Sequence, residues 1–284
     1  MSDLNLIKEL REKTGAGFVD CKNALKDNNN DVQLSIDSLR KKGLAKASKK
    51  SSREANEGAV GFYSNDKISI VVKINSETDF SAKSDTFLDF LDLIGNIALK
   101  QNNLNLTLKD FLHIKDNDKS ISDLLTEMIA KIGENLIINE LMIIENSDSN
   151  VSFYVHNPYR KNIGKIVSGI VFSSEVNNEN INIFSKNLCM HIAASKPEAM
   201  DVNQLSQQTI DNEKKIQEEM IKDSGKPSSV IDKILEGKMK KFYSETTLLN
   251  QSFVIDPDKT VKEAIKDFNS SYIFDLKNYF LASL

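Results

Sequence analysis

The residue types that carry chemistry are few in this sequence, and most stand where they cannot cooperate. Cys21 and Cys189 are the only cysteines; a reducing compartment leaves them as thiols, and two distant thiols build no metal cluster. Both sit among helix-forming residues, where a small buried hydrophobe is the expected role. His113, His156 and His191 show no His-x-x-x-His spacing, so no zinc or other metal is expected. Thr14-Gly15-Ala16-Gly17 has two glycines of a phosphate loop, but Asp20 stands where the third belongs, and a helix rather than a strand precedes it. No Gly-x-Ser-x-Gly elbow, His-Glu-x-x-His helix or Walker lysine occurs, which leaves covalent catalysis without support and no cofactor to hold. One segment differs. Asn75-Ser76-Glu77-Thr78-Asp79-Phe80-Ser81-Ala82-Lys83 closes an apolar strand and sets an acid beside a large aromatic just before a helix. Taken locally, Asp79 caps backbone N–H groups and Phe80 staples into the core.

The elements around that segment predict an α+β chain. Its 284 residues, 40% hydrophobic and 27% charged, suffice for two modest domains. With 37 Lys and Arg against 41 Asp and Glu, the net charge of -4 offers no global attraction to a phosphate backbone, so no direct nucleic-acid partner is expected. No window approaches the roughly 20 apolar residues of a membrane span. The start, Met1-Ser2-Asp3-Leu4-Asn5, lacks the pattern of a secretory signal, so a cytoplasmic location with no membrane partner is expected.

Residues 1–53 predict three short helices carrying Leu6, Ile7 and Leu10, then Phe18, Cys21, Ala24 and Leu25, then Val32, Ile36 and Leu39. Helices this short must pack together, as in a compact ubiquitin-associated-like (UBA-like) bundle. From Lys41 to Arg53 apolar periodicity fades among lysines, including Lys46, which predicts a solvated helix end passing into a linker. Ala59–Ser64 and Ile68–Ser76 predict a hairpin turning at Asn65-Asp66, and two amphipathic helices follow, over Phe87–Ala98 and Ile121–Ile132. Strands are predicted at Leu136–Glu145, Val151–His156 and Gly164–Ser173, then a helix ending before Pro197. Asp201–Asp223 and Ser228–Tyr243, separated by Ser224-Gly225-Lys226-Pro227, predict a protruding coiled-coil hairpin. Phe253–Ile255, a helix through Val261 and Phe268, and a strand at Tyr272–Leu276 complete the chain. The expected division is a UBA-like domain at 1–53, a core subdomain at 54–145, and a second at 146–284 with the helical hairpin inserted at about 200–243.

Six blocks in this order resemble the elongation factor Ts family: Thr14–Leu25, Glu77-Thr78-Asp79-Phe80 with Ala82-Lys83, Lys131-Ile132-Gly133-Glu134-Asn135, His191–Pro197, Ser224–Pro227 and Glu236–Phe242. The resemblance covers almost the whole chain. It implies a non-enzymatic guanine nucleotide exchange factor that grips elongation factor Tu, GDP-bound or nucleotide-free, and disturbs its magnesium and phosphate site during translation elongation. The residues implied to meet Tu are Thr78, Asp79, Phe80 and Ser81, with His156 matching a second contact. Ser81 stands where the family usually has valine, which implies slightly less apolar contact with Tu. The alternative, a ribosome- or RNA-associated binding module without exchange activity, draws on the Lys41–Lys50 segment and the helical bundle, against the net acidity. A two-helix hairpin closes on itself or on a second copy, so a homodimer or a 2:2 complex with Tu stays open.

Overall fold

The computed structural model describes residues 3–14, 16–176, 178–222 and 228–284, and divides the chain into two units of helices and antiparallel strands. Gly15, the breaker at 224–227 and the side chain of Lys46 lie outside the described residues.

The first unit comprises Met1–Glu145, Asn157–Lys165 and Ala282–Leu284. It opens with α1 (Asp3–Thr14), α2 (Phe18–Asp27) and α3 (Val32–Lys50), which bury Ile7, Leu10, Cys21, Ala24, Leu25 and Leu39 in one small core. Asp31 caps α3 by accepting from the Leu34 amide at 2.9 Å. Helix α3 continues to Lys50 instead of fading after Lys41. The reason is tertiary: Gly43 brings its backbone against Ala130, and Ala47, one turn on, is buried in the main core of the unit. That core lies under a hairpin of β1 (Glu57–Ser64) and β2 (Ile68–Ser76), registered from Glu57↔Ser76 to Ser64↔Ser69. Asn65 shapes the turn by accepting from the Lys67 and Ile68 amides, each at 2.9 Å.

A four-residue helix, α4 (Asp79–Ala82), leads into α5 (Asp85–Gln101), whose Phe87, Leu91, Ile94 and Ala98 recur at helical spacing and are buried. Three short elements that the sequence pattern did not announce follow: α6 (Leu108–His113), β3 (Lys115–Asp116) and β4 (Lys119–Ser120). They deliver the chain to α7 (Ile121–Ile132), which starts on a reciprocal capping box between Ser120 and Asp123 and ends on Gly133 at φ 89. Then β5 (Leu136–Glu145) pairs antiparallel with β2, its register shifting between Lys73 and Ile74. α5 and α7 both pack into the core that the sheet shares with them, as their stripes predict.

The second unit comprises Asn146–His156 and Ile166–Leu281. Strands β6 (Asn150–Arg160) and β7 (Ile163–Ser174) form a hairpin whose turn belongs to the first unit. They are followed by α8 (Glu179–Ser195), α9 (Gln207–Lys222), α10 (Ser228–Thr246), β8 (Ser252–Phe253), β9 (Asp256–Thr260), α11 (Val261–Phe268) and β10 (Phe274–Ser283). Its core joins Ile170 and Phe172 of β7 to Leu188 and Ile192 of α8, with Phe172 stacked on Phe274 at 4.7 Å. Burial pushes the Cys189 thiol up to about 12, which suits the inert, packed role expected of it.

Two expectations for this unit are corrected. The helix predicted from Asp201 begins at Gln207, because Asp201 caps a separate three-residue turn, Val202–Gln204. The strand predicted over Tyr272–Leu276 runs Phe274–Ser283, with Phe274, Leu276, Phe280 and Ala282 alternating inward past the polar Lys277 and Asn278. Helices α9 and α10 touch through Lys238, whose Nζ donates to Gln217 at 2.8 Å. His191 of α8 is fully buried. Its Nδ1 accepts from the Val254 amide at 3.2 Å, so its Nε2–H donates to Gln251 at 3.0 Å, and burial holds its pKa below the usual histidine value. Among the described residues no helix is long and apolar enough to cross a membrane.

Candidate functional site

Strand β2 ends at Ser76, fully buried, whose hydroxyl donates to the Thr78 carbonyl at 3.0 Å. Thr78 is extended, at φ -129 and ψ 155, and its hydroxyl accepts from the Ser81 amide at 3.2 Å to cap α4. The cap is therefore Thr78, not Asp79 as the local pattern suggested. The same hydroxyl donates to Glu134 Oε1 at 2.8 Å, and the Thr78 amide donates to Glu134 Oε2 at 3.1 Å. Next to it, Glu77 Oε1 accepts from the Asn135 amide at 2.6 Å, and its Oε2 faces Arg53 at 3.4 Å. Asn135 in turn donates its side-chain amide to the Arg53 carbonyl at 2.7 Å, and Lys50 donates to the carbonyl of Gly133. The segment 133–135, bent by the left-handed Gly133, is thus laced to 77–78 by both acids.

This scaffold displays Asp79 and Phe80. Phe80 is 84% exposed, the highest of the large hydrophobic side chains among the described residues, where the local reading had it stapled inward. A single exposed apolar residue is ordinary. Here it tops a turn whose preceding residue, Thr78, has its amide, carbonyl and hydroxyl all engaged, and whose Ser81 and Ala82 are buried, so hydrogen bonds and packing behind the turn fix where the ring stands. Asp79 Oδ2 accepts from Lys83 Nζ at 2.7 Å, and that bond holds the carboxyl below the usual aspartate range. Lys83 is raised in return and lies 6.0 Å from the centroid of the Tyr159 ring. At neutral pH the site presents a carboxylate, partly screened by one lysine, beside a bare benzyl group.

Ser81 lies on the other side of the turn. It is 7% exposed, and its hydroxyl oxygen is sealed from solvent without a hydrogen-bond partner. The Ser81 side chain thus belongs to the packing of its own unit. Such a hydroxyl forfeits about 1–3 kcal/mol of hydration, so Ser81→Ala is expected to raise stability by about 1 kcal/mol. A urea midpoint at or below that of the natural chain contradicts this.

His156 belongs to the second unit, exposed on β6, with Nδ1 3.1 Å from the Tyr154 hydroxyl and the two rings 6.0 Å apart. Among the described residues no three His, Cys, Asp or Glu side chains converge as a metal ion needs. Glu77, Glu134 and Asn135 brace the turn, a role that residue type did not assign to them. The available signal was the block Lys131–Asn135, an acid directly after a helix-ending glycine.

The chain is similar to known proteins over most of its length. A family model described as Elongation factor TS matches residues 77–281, starting at the first residue of the turn. Elongation factor Ts of Allorhizobium ampelinum is 40% identical over 262 residues, covering 92% of this chain and 85% of that protein. Elongation factor Ts of Rhizobium meliloti is 39% identical, covering 94% and 86%, and that of Ehrlichia ruminantium 39%, covering 93% and 91%. The chain belongs to the elongation factor Ts family.

Proposed function

We propose that this chain is a guanine nucleotide exchange factor for elongation factor Tu, acting by binding and without covalent chemistry. The observation that carries the proposal is the exposed Phe80 beside the ionised Asp79 on a turn fixed from behind. GDP is held on a GTPase by a magnesium ion and by backbone N–H groups that neutralise its phosphates. An apolar ring seated in Tu near that site displaces the elements that position the ion, while the carboxylate disfavours phosphate nearby. A thousandfold faster release corresponds to about 4 kcal/mol off the barrier. Burying one benzyl group supplies about 1.5–3 kcal/mol, and weakened ion contacts supply the rest. His156, exposed on the second unit, is proposed as a further contact.

Linkage tests the proposal. If the chain weakens GDP binding to Tu by some factor, GDP weakens the chain's binding to Tu by the same factor, so rebinding nucleotide expels the exchange factor. Titrating purified Tu with the chain, with and without saturating GDP, is expected to give two affinities differing by about a hundredfold or more, within the 1–3 kcal/mol and upward expected of coupled sites. Affinity indifferent to GDP overturns the reading.

A further inference from the structure

The turn that displays Phe80 cannot be held in place by the ring, because the ring touches solvent. Behind it the buried Ala82 anchors the short helix to the core, and Thr78 is held at the helix start by Ser76 and by a carboxylate 56 positions away in the sequence. Glu134 accepts both the Thr78 amide, at 3.1 Å, and the Thr78 hydroxyl, at 2.8 Å. Taking the hydroxyl's single proton leaves an oxygen lone pair to face the Ser81 amide at 3.2 Å, so one carboxylate orders the cap of α4 by way of the threonine. We infer that Glu134 is a positioning residue for nucleotide exchange: it presets the Asp79–Phe80 turn before Tu is met. The inference rests on the exchange reading above.

Removing the carboxylate leaves the Thr78 amide without its acceptor and lets the hydroxyl rotate away from its capping orientation. The turn then samples other conformers, and the ring enters Tu in the right pose only a fraction of the time. Docking through the rest of the surface is untouched. The loss therefore falls on the release rate with Tu saturated and not on the concentration needed to saturate it.

The test follows release of a fluorescent GDP from purified Tu against rising concentrations of the full chain, comparing the natural protein with Glu134→Ala, Glu134→Gln and Phe80→Ala. Glu134→Ala is expected to lower the saturating release rate about tenfold, a modest share of the roughly hundredfold that misplacement by 1 Å can cost, with a half-saturating concentration within about twofold. Glu134→Gln keeps one acceptor oxygen and is expected to recover part of the rate, which a purely folding-related defect does not predict. Amide hydrogen exchange of the free variants is expected to show faster exchange at Thr78 and Ser81, with the strands of the sheet still protected. If Glu134→Ala releases GDP at the natural saturating rate while Phe80→Ala is slow, the positioning role is wrong and the exchange reading stands. If Phe80→Ala is also indistinguishable from the natural chain, the wedge reading itself falls. If Glu134→Ala loses protection throughout the sheet and Glu134→Gln recovers nothing, the residue is structural and the inference is overturned.

Discussion

Phe80→Ala is expected to slow GDP release from Tu by about tenfold to a hundredfold at saturating factor, which is the rate equivalent of about 1.5–3 kcal/mol of benzyl burial lost at the contact. The same substitution is expected to leave the chain's own stability within about 0.5 kcal/mol, because a side chain that is 84% exposed contributes almost nothing to the fold. That separation is the diagnostic part. A core phenylalanine such as Phe87, fully buried, loses about 3–5 kcal/mol on truncation and drags function down with it. Stopped-flow release and urea denaturation on one preparation measure both quantities. Asp79→Ala is expected to act in the same direction with a smaller effect, since Lys83 already engages one carboxylate oxygen.

Gly95→Ala is expected to destabilise the first unit by about 1–3 kcal/mol, against the usual gain of roughly 0.5–1 kcal/mol for replacing glycine inside a helix. The glycine lies within α5, where a Cβ would meet the Tyr63 ring at 2.0 Å. The ring cannot swing aside cheaply. Tyr63 is buried, and its hydroxyl donates to Asp92 at 3.0 Å, a carboxylate also gripped by Arg160 at 2.7 Å. Burial and Asp92 both push the tyrosine pKa far up, so the phenol stays protonated and the bond persists at any ordinary pH. A thermal midpoint equal to or above that of the natural chain contradicts the steric account.

Much of the fold was legible because the elements carry their own signals. The β1–β2 hairpin combines apolar strands with an Asn65 turn that closes through its own side chain. The stripes of α5 and α7 have helical spacing, and their caps at Ser84 and Ser120 stand directly before them. What escaped depends on distant partners. The second half of α3 looks like a fading, lysine-rich end until Gly43 and Ala47 find Ala130 and the main core. The end of β10 is polar at Lys277 and Asn278, and its alternation appears only once Phe280 and Ala282 are seen buried. The small elements between Leu108 and Ser120 are too short to show a period at all.

The site was legible in a different way. Spacing alone sent Phe80 into the core and made Asp79 the cap, since a four-residue helix has too few positions to tell an inward face from an outward one. Resemblance to a family placed the pair on the surface, and the exposure of Phe80 agrees with that placement. Glu77 and Glu134 stand within the family-like blocks, but neither route gave them a role. Their work is to satisfy backbone groups in another loop, a relation that local patterns do not encode.

The most direct measurement is stopped-flow release of fluorescent GDP from Tu under saturating chain, with Asp79 and Phe80 both changed to alanine beside the natural protein. The account predicts release on the order of a thousandfold above the spontaneous rate for the natural chain, about 4 kcal/mol of barrier, and a double variant falling most of the way back to the spontaneous rate while still binding Tu. A double variant that matches the natural chain contradicts it.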